Sequence, residues 1–351
     1  MKKLKEALKQ ENIACGYLYF YVHFIVEITC FYFLSKISNS PIIWLIPFIY
    51  DAFAFVPQSL IGYLCDCYPK LKVSIIGTIL LFIGIFLFSF FSINKFLLLF
   101  IICFGNAFIH VGGAECTLRK SKGKLSHSAL FVAGGSFGVI SGRILANTFI
   151  PSWVLLPVIL SMIPFILYAD TFKGNDCTKF NYCNLKMHGK VVVFLAFIIV
   201  IVRGYMGYGI PTSWNKSTIE TVYLFSIMGL GKALGGILSD AFGIRKIALI
   251  STLLAIPFLI IGDNFMIISL IGVMFFSMTM SITLAVLVSC LRKNPGLAFG
   301  ITTIGLFLGT VPIFFFQIVS NTLNSIMIIV LSLLCTIILN FILKREGEAY
   351  D

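Results

Sequence analysis

Residues 235–246 read GGILSDAFGIRK and place one aspartate, Asp240, at the end of an apolar run. A glycine, Gly236, precedes this aspartate by about one helical turn, and a basic pair closes the segment. A related segment, IGYLCDCYPKLK, occupies residues 61–72 and places Asp66 in the same position. Because the two segments lie almost half the chain apart, the sequence predicts two related halves.

The composition indicates the environment of the chain. Of its 351 residues, 59% are hydrophobic and 11% are charged, and the mean hydropathy is +1.02. A soluble domain carries about 25% charged residues, so this chain has too little polar surface to face water. Apolar runs of about 20 residues, separated by short charged or Pro/Gly/Asn stretches, are typical of transmembrane helices.

Twelve spans fit this pattern, which predicts an all-α integral membrane protein. Their expected ranges are 14–34, 41–64, 73–93, 96–117, 126–147, 152–169, 191–210, 218–238, 247–262, 265–290, 296–319 and 323–343. The longest connection, residues 170–190, falls at the centre of the chain. It predicts a cytoplasmic linker between two six-helix bundles, residues 1–169 and 191–351.

The basic charge follows the predicted topology. The net charge is +12, and the chain has 26 Lys and Arg residues. With the N-terminus placed in the cytoplasm, most of them fall on that side, and only Lys36, Lys95 and Lys216 fall outside. This positive-inside distribution explains the basicity without a nucleic-acid partner. It predicts a multi-pass protein of the cell membrane with both termini in the cytoplasm.

The cysteines do not predict a metal site. Most of the 10 cysteines lie within spans, where cysteine acts as a small apolar residue. Cys65, Cys67, Cys177, Cys183 and His188 face the cytoplasm, with a spacing that fits no zinc pattern. We therefore expect no metal and no cofactor. The sequence also lacks a G-x-x-x-x-G-K-[ST] loop, which argues against ATP hydrolysis.

The second aspartate segment resembles a motif of the major facilitator superfamily, G-x-x-x-D-x-x-G-R-K/R. In that family the motif follows the second helix and returns more loosely after the eighth. The second copy in this chain keeps Gly236, Asp240, Gly243, Arg245 and Lys246. The resemblance implies the major facilitator fold, in which twelve helices form two pseudo-symmetric six-helix bundles, and it implies transport of a small molecule.

The first copy of the motif is less complete. It keeps Gly62, Asp66, Lys70 and Lys72, and it has Pro69 in place of the second glycine. If only one copy matters strongly for function, we expect it to be the second.

The residue types of the motif predict a gate between the halves. A glycine one turn before the aspartate lets another helix approach closely, and the aspartate then faces the positive start of a helix from the other half. Span 11 begins with Asn294 as N-cap and Pro295 in its first turn, and span 5 begins at Ser126. We expect Arg119 and Arg292, which end spans 4 and 10, to pair with the respective aspartates. The alternative is a plain cluster of charges at the membrane edge.

A narrower resemblance is to the fosmidomycin-resistance efflux proteins. It rests on GNAFIHVGGAECTLRKSKGKLSHSALFVAGGSFGVISGRILA, residues 105–146, and on VRGYMGYGIPTSW, residues 202–214. The run HVGGAE is looser than the His-Pro-Glu run of that family, and Arg143 stands near a usual proline. This resemblance implies proton-coupled efflux of a small anionic drug-like compound.

Ionisable residues inside the spans predict a central pathway. A charge in hydrocarbon costs at least about 2.5–3.5 kcal/mol, so these residues should line a cavity or pair with one another. They lie on spans 1, 2, 4, 5, 7 and 8, which line the central cavity in the superfamily fold. Besides histidine, they are Glu27, Asp51, Glu115, Arg143, Arg203 and Lys232.

Four of the polar residues are candidates for proton coupling. His23 and Glu27 share one face of span 1, and Asp51 lies near the middle of span 2. Because a low-dielectric surrounding favours the neutral form of a carboxyl group, Glu27 and Asp51 are the predicted proton carriers, with His23 and His110 as helpers. The alternative is that the acids only balance the buried arginines in static pairs.

The buried cations predict an anionic substrate. Arg143 and Arg203 lie in opposite halves, and two converging guanidinium groups suit a carboxylate, phosphate or phosphonate. Lys232 is expected to belong either to this site or to the gate. Glu115 is expected to belong either to the Asp66 network or to the pathway. Tyr205 and Tyr208 are expected to flank the substrate, although an interfacial aromatic belt explains them equally well.

The glycines of span 5 predict close helix packing. Gly134, Gly135, Gly138 and Gly142 are spaced for one tight interface. We expect that interface to face the other half.

These patterns predict a monomeric secondary transporter that exports a small, anionic organic compound in exchange for protons. An importer of a small organic anion on the same fold is the nearest alternative, because direction depends on the gradients. A non-transporting membrane sensor or assembly protein is another. An intramembrane enzyme fits less well, since the ionisable residues spread over depth and over both halves.

Overall fold

Within the part of the chain that the structure describes, twelve helices are long and apolar enough to cross a membrane. The computed structural model describes residues 6, 12–37, 45–173, 182–186, 189–209, 214–215, 217–316 and 320–344. Numbered 1 to 12, the spans are Ile13–Ile37, Leu45–Cys67, Val73–Phe90, Lys95–Lys120, Ser126–Ala146, Ser152–Asp170, Lys190–Gly207, Thr218–Phe242, Ile244–Asn264, Met266–Cys290, Pro295–Phe315 and Thr322–Ile342. The predicted all-α membrane architecture with twelve spans is confirmed.

Prolines interrupt two of the spans. The shorter helices are Leu45–Phe55 and Gln58–Cys67 in span 2, and Ser152–Val154, Leu155–Leu160 and Met162–Asp170 in span 6. Pro57 and Pro164 have no backbone N–H to donate, and each ring crowds the carbonyl four residues earlier. The breaks at residues 56–57 and 161 follow from this chemistry.

The helices that carry the two aspartates continue beyond their predicted ends. Span 2 ends at Cys67 and span 8 at Phe242, whereas hydropathy predicted residues 64 and 238. Asp66 and Asp240 therefore lie in the last turn of a helix. Gly243 follows with a φ of 96°, a left-handed conformation that favours glycine. The motif glycine thus ends span 8.

The helix contacts repeat from one half of the chain to the other. Span 1 packs on span 5 and span 7 on span 11, while span 3 packs on span 4 and span 9 on span 10. Between the halves, span 5 packs on span 8 and span 11 packs on span 2. Corresponding helices make corresponding contacts, which is the pseudo-symmetric arrangement predicted from the repeated motif.

The glycines of span 5 pack within their own half. A Cβ at Gly134, Gly138 or Gly142 would overlap a backbone carbonyl of span 1, and one at Gly135 would overlap the ring of His23. The expectation that these glycines face the other half is wrong. Their spacing predicted a close interface, but spacing alone does not say which helix occupies it.

The central connection contacts both halves. Tyr182 donates its phenol to the carbonyl of Leu118 at 2.7 Å, and the backbone N–H of Lys186 donates to the carbonyl of Ile342 at 2.8 Å. The predicted linker, residues 170–190, is described only at residues 170–173, 182–186 and 189–190. The division at residues 169 and 191 stays a prediction.

Candidate functional site

The carboxylate of Asp240 caps a helix of the other half. Its Oδ1 accepts the backbone N–H of Leu125 at 2.9 Å, and its Oδ2 accepts that of Ser126 at 2.9 Å. These amides open span 5, where Leu125 provides no side-chain cap. The negative carboxylate therefore satisfies amide groups that a helix start leaves unpaired, at the positive end of the helix dipole.

Asp66 makes the corresponding contact in the opposite direction. Its Oδ1 accepts the N–H of Gly296 at 3.0 Å, and its Oδ2 accepts that of Leu297 at 2.8 Å. Both amides lie in the first turn of span 11. Asn294 occupies the N-cap position, but its side chain makes no capping hydrogen bond. The predicted N-cap position of Asn294 and the first-turn position of Pro295 are confirmed, but the acceptor of the first amides is Asp66 from the other half.

An arginine strengthens the contact made by Asp66. Arg119 Nη2 lies 3.3 Å from Asp66 Oδ1, and Arg119 Nε donates to Glu115 Oε1 at 2.7 Å. Glu115 therefore belongs to the Asp66 network, which was one of the two options left by the sequence. Arg292, expected to pair with Asp240, donates its Nε to the carbonyl of Ser289 at 3.2 Å.

The two motif glycines that precede the aspartates, Gly62 and Gly236, lie where the halves touch. A Cβ at Gly62 would overlap the carbonyl of Gly296, and one at Gly236 would overlap the Cβ of Ala129. Any larger residue would hold span 2 away from span 11, or span 8 away from span 5. We call the end of the bundle that holds these contacts and both aspartates the aspartate face.

The basic residues of the motif lie at the aspartate face. Arg245 donates to Asn340 Oδ1 at 2.6 Å, whereas Lys70, Lys72 and Lys246 are exposed. The gating role of these motif residues stays a prediction.

A second group of candidate side chains is buried within the N-terminal half. Glu27 Oε1 lies 3.5 Å from His23 Nε2 and 3.2 Å from His110 Nε2. His23, Glu27 and His110 are only 6%, 6% and 8% exposed. We call these three residues the buried histidine cluster. The sequence marked all three, but it paired only His23 with Glu27 by spacing.

Hydrogen bonds to backbone carbonyls fix the tautomer of both rings. His23 Nδ1 lies 2.8 Å from the carbonyl oxygen of Phe131, and His110 Nδ1 lies 3.0 Å from that of Asn106. A carbonyl only accepts, so each Nδ1 carries a hydrogen. In a neutral ring, Nε2 then presents a lone pair toward Glu27. Two lone pairs and a carboxylate converge, and such a site requires bound protons or another positive charge.

The geometry of the cluster also suits a single cation. The ligand atoms of His23, Glu27 and His110 all lie within 4.8 Å of one another, and imidazole with carboxylate is a ligand set that transition metals accept. The sequence-based expectation of no metal site stays a prediction.

Asn106 completes the surroundings of Glu27, and sequence reasoning missed it. Its Nδ2 donates to Glu27 Oε1 at 3.2 Å and to Tyr50 Oη at 2.9 Å. The available signal was an asparagine one turn before His110 in an apolar span. Asp51 is half-buried on span 2 and lies outside these hydrogen bonds, although its charge interacts with that of Glu27.

Two of the predicted substrate-binding cations lie between the halves. Lys232 Nζ on span 8 donates to Ser136 Oγ on span 5 at 2.7 Å. The guanidinium of Arg143 on span 5 lies 5.2 Å from the ring centroid of Phe31 and 5.4 Å from that of Phe225, which belongs to span 8. Both cations therefore contact the boundary at which the halves would separate.

Arg203 has different surroundings. It is 7% exposed, donates to Thr283 Oγ1 at 3.3 Å, and lies 6.0 Å from the ring centroid of Phe276. Among the described residues, its Nε has no hydrogen-bond partner. A small cavity beside it is lined by spans 7, 9, 10 and 12. These contacts place Arg203 inside the C-terminal half and do not bring it together with Arg143.

The predicted aromatic contacts are described only in part. Tyr205 is half-buried and packs against the hydrophobic core. The side chain of Tyr208 lies outside the described residues. The expectation that both flank a substrate stays a prediction.

Comparison with known proteins shows a similarity of fold. No family model and no curated protein matches the chain. The human organic anion transporter MFSD10 (TETRAN) is similar in structure, with a TM-score of 0.68 at 13% identity, covering 93% of this chain and 100% of that one. FucP in its outward conformation has a TM-score of 0.64 at 14% identity, covering 94% and 97% of the two chains. A point variant of the E. coli fucose:proton symporter FucP has a TM-score of 0.65 at 14% identity, with the same coverage.

These similarities extend over nearly the whole chain and establish its fold. The protein has the major facilitator fold, as the repeated aspartate motif implied. The narrower resemblance to fosmidomycin-resistance proteins stays a prediction.

Proposed function

We propose that this protein is a secondary active transporter that exports a small anionic organic compound in exchange for protons. The observation that carries the proposal is the reciprocal pair of helix caps at the aspartate face. Each half contributes one carboxylate and receives one from the other. Alternating access needs such a contact on one side of the membrane, closed in one state and broken in the other.

The caps are suited to reversible opening. Hydrogen bonds to a charged group contribute about 1.5–3 kcal/mol each, and water replaces them when the partners separate. Asp66 is bonded to Gly296 and Leu297, and Asp240 to Leu125 and Ser126. Together these bonds hold the aspartate face closed without making opening prohibitive.

Proton coupling is assigned to the buried histidine cluster. His23, Glu27 and His110 bring three proton-accepting atoms together in a site that is more than nine-tenths buried. Gain or loss of a proton there changes the attraction between span 1 and span 4. The other charged groups that act on Glu27 are Asp51 on span 2 and Lys232 on span 8.

Span 5 provides a physical connection from this cluster to the gate. The carbonyl of Phe131 on span 5 accepts from His23, and Asp240 caps the start of the same helix. Ser136, further along span 5, accepts from Lys232 of the other half. A change at the cluster therefore acts on the helix that carries two contacts between the halves.

The substrate class follows from the cations between the halves. Lys232 and Arg143 bring positive charge to this boundary, and Arg203 adds its charge from within the C-terminal half, where it interacts with that of Lys232. Solved structures of this fold include an organic anion transporter and a proton symporter. Both properties are therefore compatible with the architecture.

We assign the aspartate face to the cytoplasm, on the basis of the positive-inside distribution of Lys and Arg. This orientation places both termini in the cytoplasm and the protein in the cell membrane. We further propose that it works as a monomer, because each half supplies the partner that the other needs for its gate contact.

The test is transport by the purified protein reconstituted in liposomes with a pH-sensitive dye trapped inside. Fosmidomycin and a panel of mono- and dicarboxylates serve as probes under an imposed pH gradient. We expect at least one probe to move against its gradient together with a change in internal pH. Glu27→Gln should abolish the dye response, because it removes the carboxylate between the two histidines.

Asp51→Asn is the matched comparison, since it neutralises an acid of span 2 whose charge interacts with that of Glu27. It should retain proton-linked movement of the probe. Loss of coupling in Asp51→Asn but not in Glu27→Gln would refute the assignment to the cluster. If no probe crosses the membrane in either vesicle orientation, the transport proposal is wrong. Uptake into right-side-out vesicles alone would instead identify the importer.

A further inference from the structure

A separate cavity of about 230 Å³ lies at the aspartate face. Its lining comes from three parts of the chain: the loop after span 4, the central linker, and the C-terminal half. The lining residues are Gly123, Lys124, Tyr182, Cys183, Asn184, Ser239, Asp240, Ile244, Arg245, Leu343 and Lys344. The cavity shares no residue with the buried histidine cluster or with the cations between the halves.

We propose that this cavity binds a small phosphate-bearing anion. Three cationic side chains line it: Lys124, Arg245 and Lys344. Among the described residues of the lining, Asp240 is the only carboxylate, and both of its oxygens accept backbone N–H groups. The cavity therefore presents an excess of positive charge and of hydrogen-bond donors.

Arg245 is the one arginine among the described residues that line the cavity. Its Nη2 donates to Asn340 Oδ1 at 2.6 Å, while its buried Nε has no hydrogen-bond partner among the described residues. The planar guanidinium presents several donors in a fixed geometry that matches phosphate.

The linker forms a fixed wall of the cavity. The N–H groups of Tyr182 and Cys183 donate to Ser289 Oγ at 3.0 and 3.1 Å, and the N–H of Lys344 donates to the carbonyl of Asn184 at 2.9 Å. Burial raises the pKa of the Tyr182 phenol, which stays neutral and bonded to Leu118. A wall held in place before binding reduces the entropic cost of binding.

The volume restricts the ligand. Pockets for drug-sized molecules measure about 300–1,000 Å³, and this cavity is smaller. It suits inorganic phosphate, a phosphomonoester or the phosphate of a lipid headgroup. These sources share one chemistry, which the three cations would recognise.

The cavity lies between the two halves, so binding there would affect the contact between them. Lys124 belongs to the N-terminal half, whereas Arg245 and Lys344 belong to the C-terminal half. An anion held between them stabilises the state in which Asp240 caps span 5, because a ligand favours the conformation that binds it. Binding should therefore slow opening of the aspartate face. This last consequence rests on the proposed transport cycle, while the binding site does not.

The test measures binding to the full-length protein in nanodiscs of neutral phosphatidylcholine, by calorimetric titration with inorganic phosphate at constant ionic strength. We expect saturable binding that Lys124→Ala weakens about tenfold or more, since it removes a charged contact. Lys122→Ala is the matched control, because Lys122 is an exposed lysine of the same loop outside the cavity lining. Lys232→Ala removes a cation between the halves and should retain phosphate binding.

Nanodiscs that contain phosphatidic acid distinguish the two sources of phosphate. If the headgroup occupies the cavity, these nanodiscs should raise the melting temperature of the wild type and of Lys122→Ala, but not that of Lys124→Ala. Equal phosphate affinity in wild type and Lys124→Ala would overturn the proposal. So would the absence of both phosphate binding and the lipid effect. Because no transport is measured, failure of the transport proposal would leave these results unchanged.

Discussion

Asp66 Oδ2 accepts the backbone N–H of Leu297 at 2.8 Å, although the two residues belong to opposite halves of the protein. Asp240 and Ser126 form the equivalent pair at 2.9 Å. Each helix start is thus completed by a side chain from the other half, and separation of the halves leaves both a carboxylate and a helix start without their partners. This reciprocity connects a repeated sequence motif to the proposed movement of the two halves.

The first prediction concerns these carboxylates. Asp240→Asn removes the charge and replaces one acceptor oxygen with an amide donor that faces another donor. It should shift the equilibrium toward an open aspartate face by about tenfold or more and slow turnover with little change in substrate affinity. Hydrogen–deuterium exchange should show faster exchange at Leu125 and Ser126.

Asp66→Asn is the matched variant for the other cap, with faster exchange expected at Gly296 and Leu297. We expect it to slow turnover at least as much as Asp240→Asn, because Asp66 also contacts Arg119 at 3.3 Å. The incomplete first motif predicted the opposite order. A milder effect of Asp66→Asn would support the sequence-based ranking over the geometric one.

The second prediction concerns the close approach of spans 2 and 11. A Cβ at Gly62 would overlap the carbonyl of Gly296, whereas a Cβ at Gly207 would meet only Phe276 at 3.9 Å, an ordinary contact. Gly62→Ala should therefore lower turnover about tenfold or more, and Gly207→Ala should stay within about twofold of wild type, on the basis of this packing difference. Equal turnover in the two variants would contradict the tight contact.

The third prediction concerns the pH dependence of transport. His110→Gln removes one of the two rings that face Glu27 Oε1, at 3.2 Å, and it should change the pH profile of transport as well as its rate. His127 on span 5 is buried as well, but it lies outside the buried histidine cluster. His127→Gln serves as the control and should keep the wild-type profile. A profile unchanged in His110→Gln would remove His110 from proton coupling.

The fourth prediction separates the cations. Lys232→Ala should weaken anion binding about tenfold, because Lys232 lies between the halves and a charged contact contributes about 1.5–3 kcal/mol. Arg203→Met keeps an extended side chain but removes a buried charge that has no carboxylate partner among the described residues. It should raise the melting temperature, since a buried unpaired charge is destabilising, and change anion affinity less than about threefold.

Binding titrations and thermal unfolding of both variants would check these outcomes. An affinity loss in Arg203→Met as large as that in Lys232→Ala would restore Arg203 as a direct substrate contact, as its sequence position suggested. A fall in melting temperature in Arg203→Met would show that its bond to Thr283 outweighs the cost of burying its charge.

Much of the gate could be read from the sequence, because its geometry is local and repeated. A glycine one turn before an aspartate at a helix end fixes where the carboxylate lies, and the duplication places a helix start of the other half opposite it. The same reasoning placed Asn294 correctly at the N-cap of span 11, but it failed to show that Asp66, 230 residues before Gly296, accepts the first amides of that helix. It also failed for the glycines of span 5, whose neighbour depends on how the helices assemble.

The buried site was less accessible to sequence reasoning. Spacing paired His23 with Glu27, but only the packing of span 4 against span 1 brings His110 and Asn106 to the same carboxylate. The sequence placed Arg143 and Arg203 in one converging site because both lie in spans of the central pathway. Helix rotation decides which way each side chain points, and in an almost uniformly apolar span the sequence carries little information about rotation.

The sequence by itself determined the membrane environment, the number of spans and the division into two related halves. The length of the apolar runs and the duplicated motif are properties of the chain that can be read along its length. The tertiary structure decided which backbone amides the aspartates bind, which ring nitrogens face Glu27, and where the cations point. Those outcomes depend on the rotation of each helix and on contacts between residues far apart in the chain. In this protein, such contacts between the halves and within the N-terminal half make up the candidate machinery of transport.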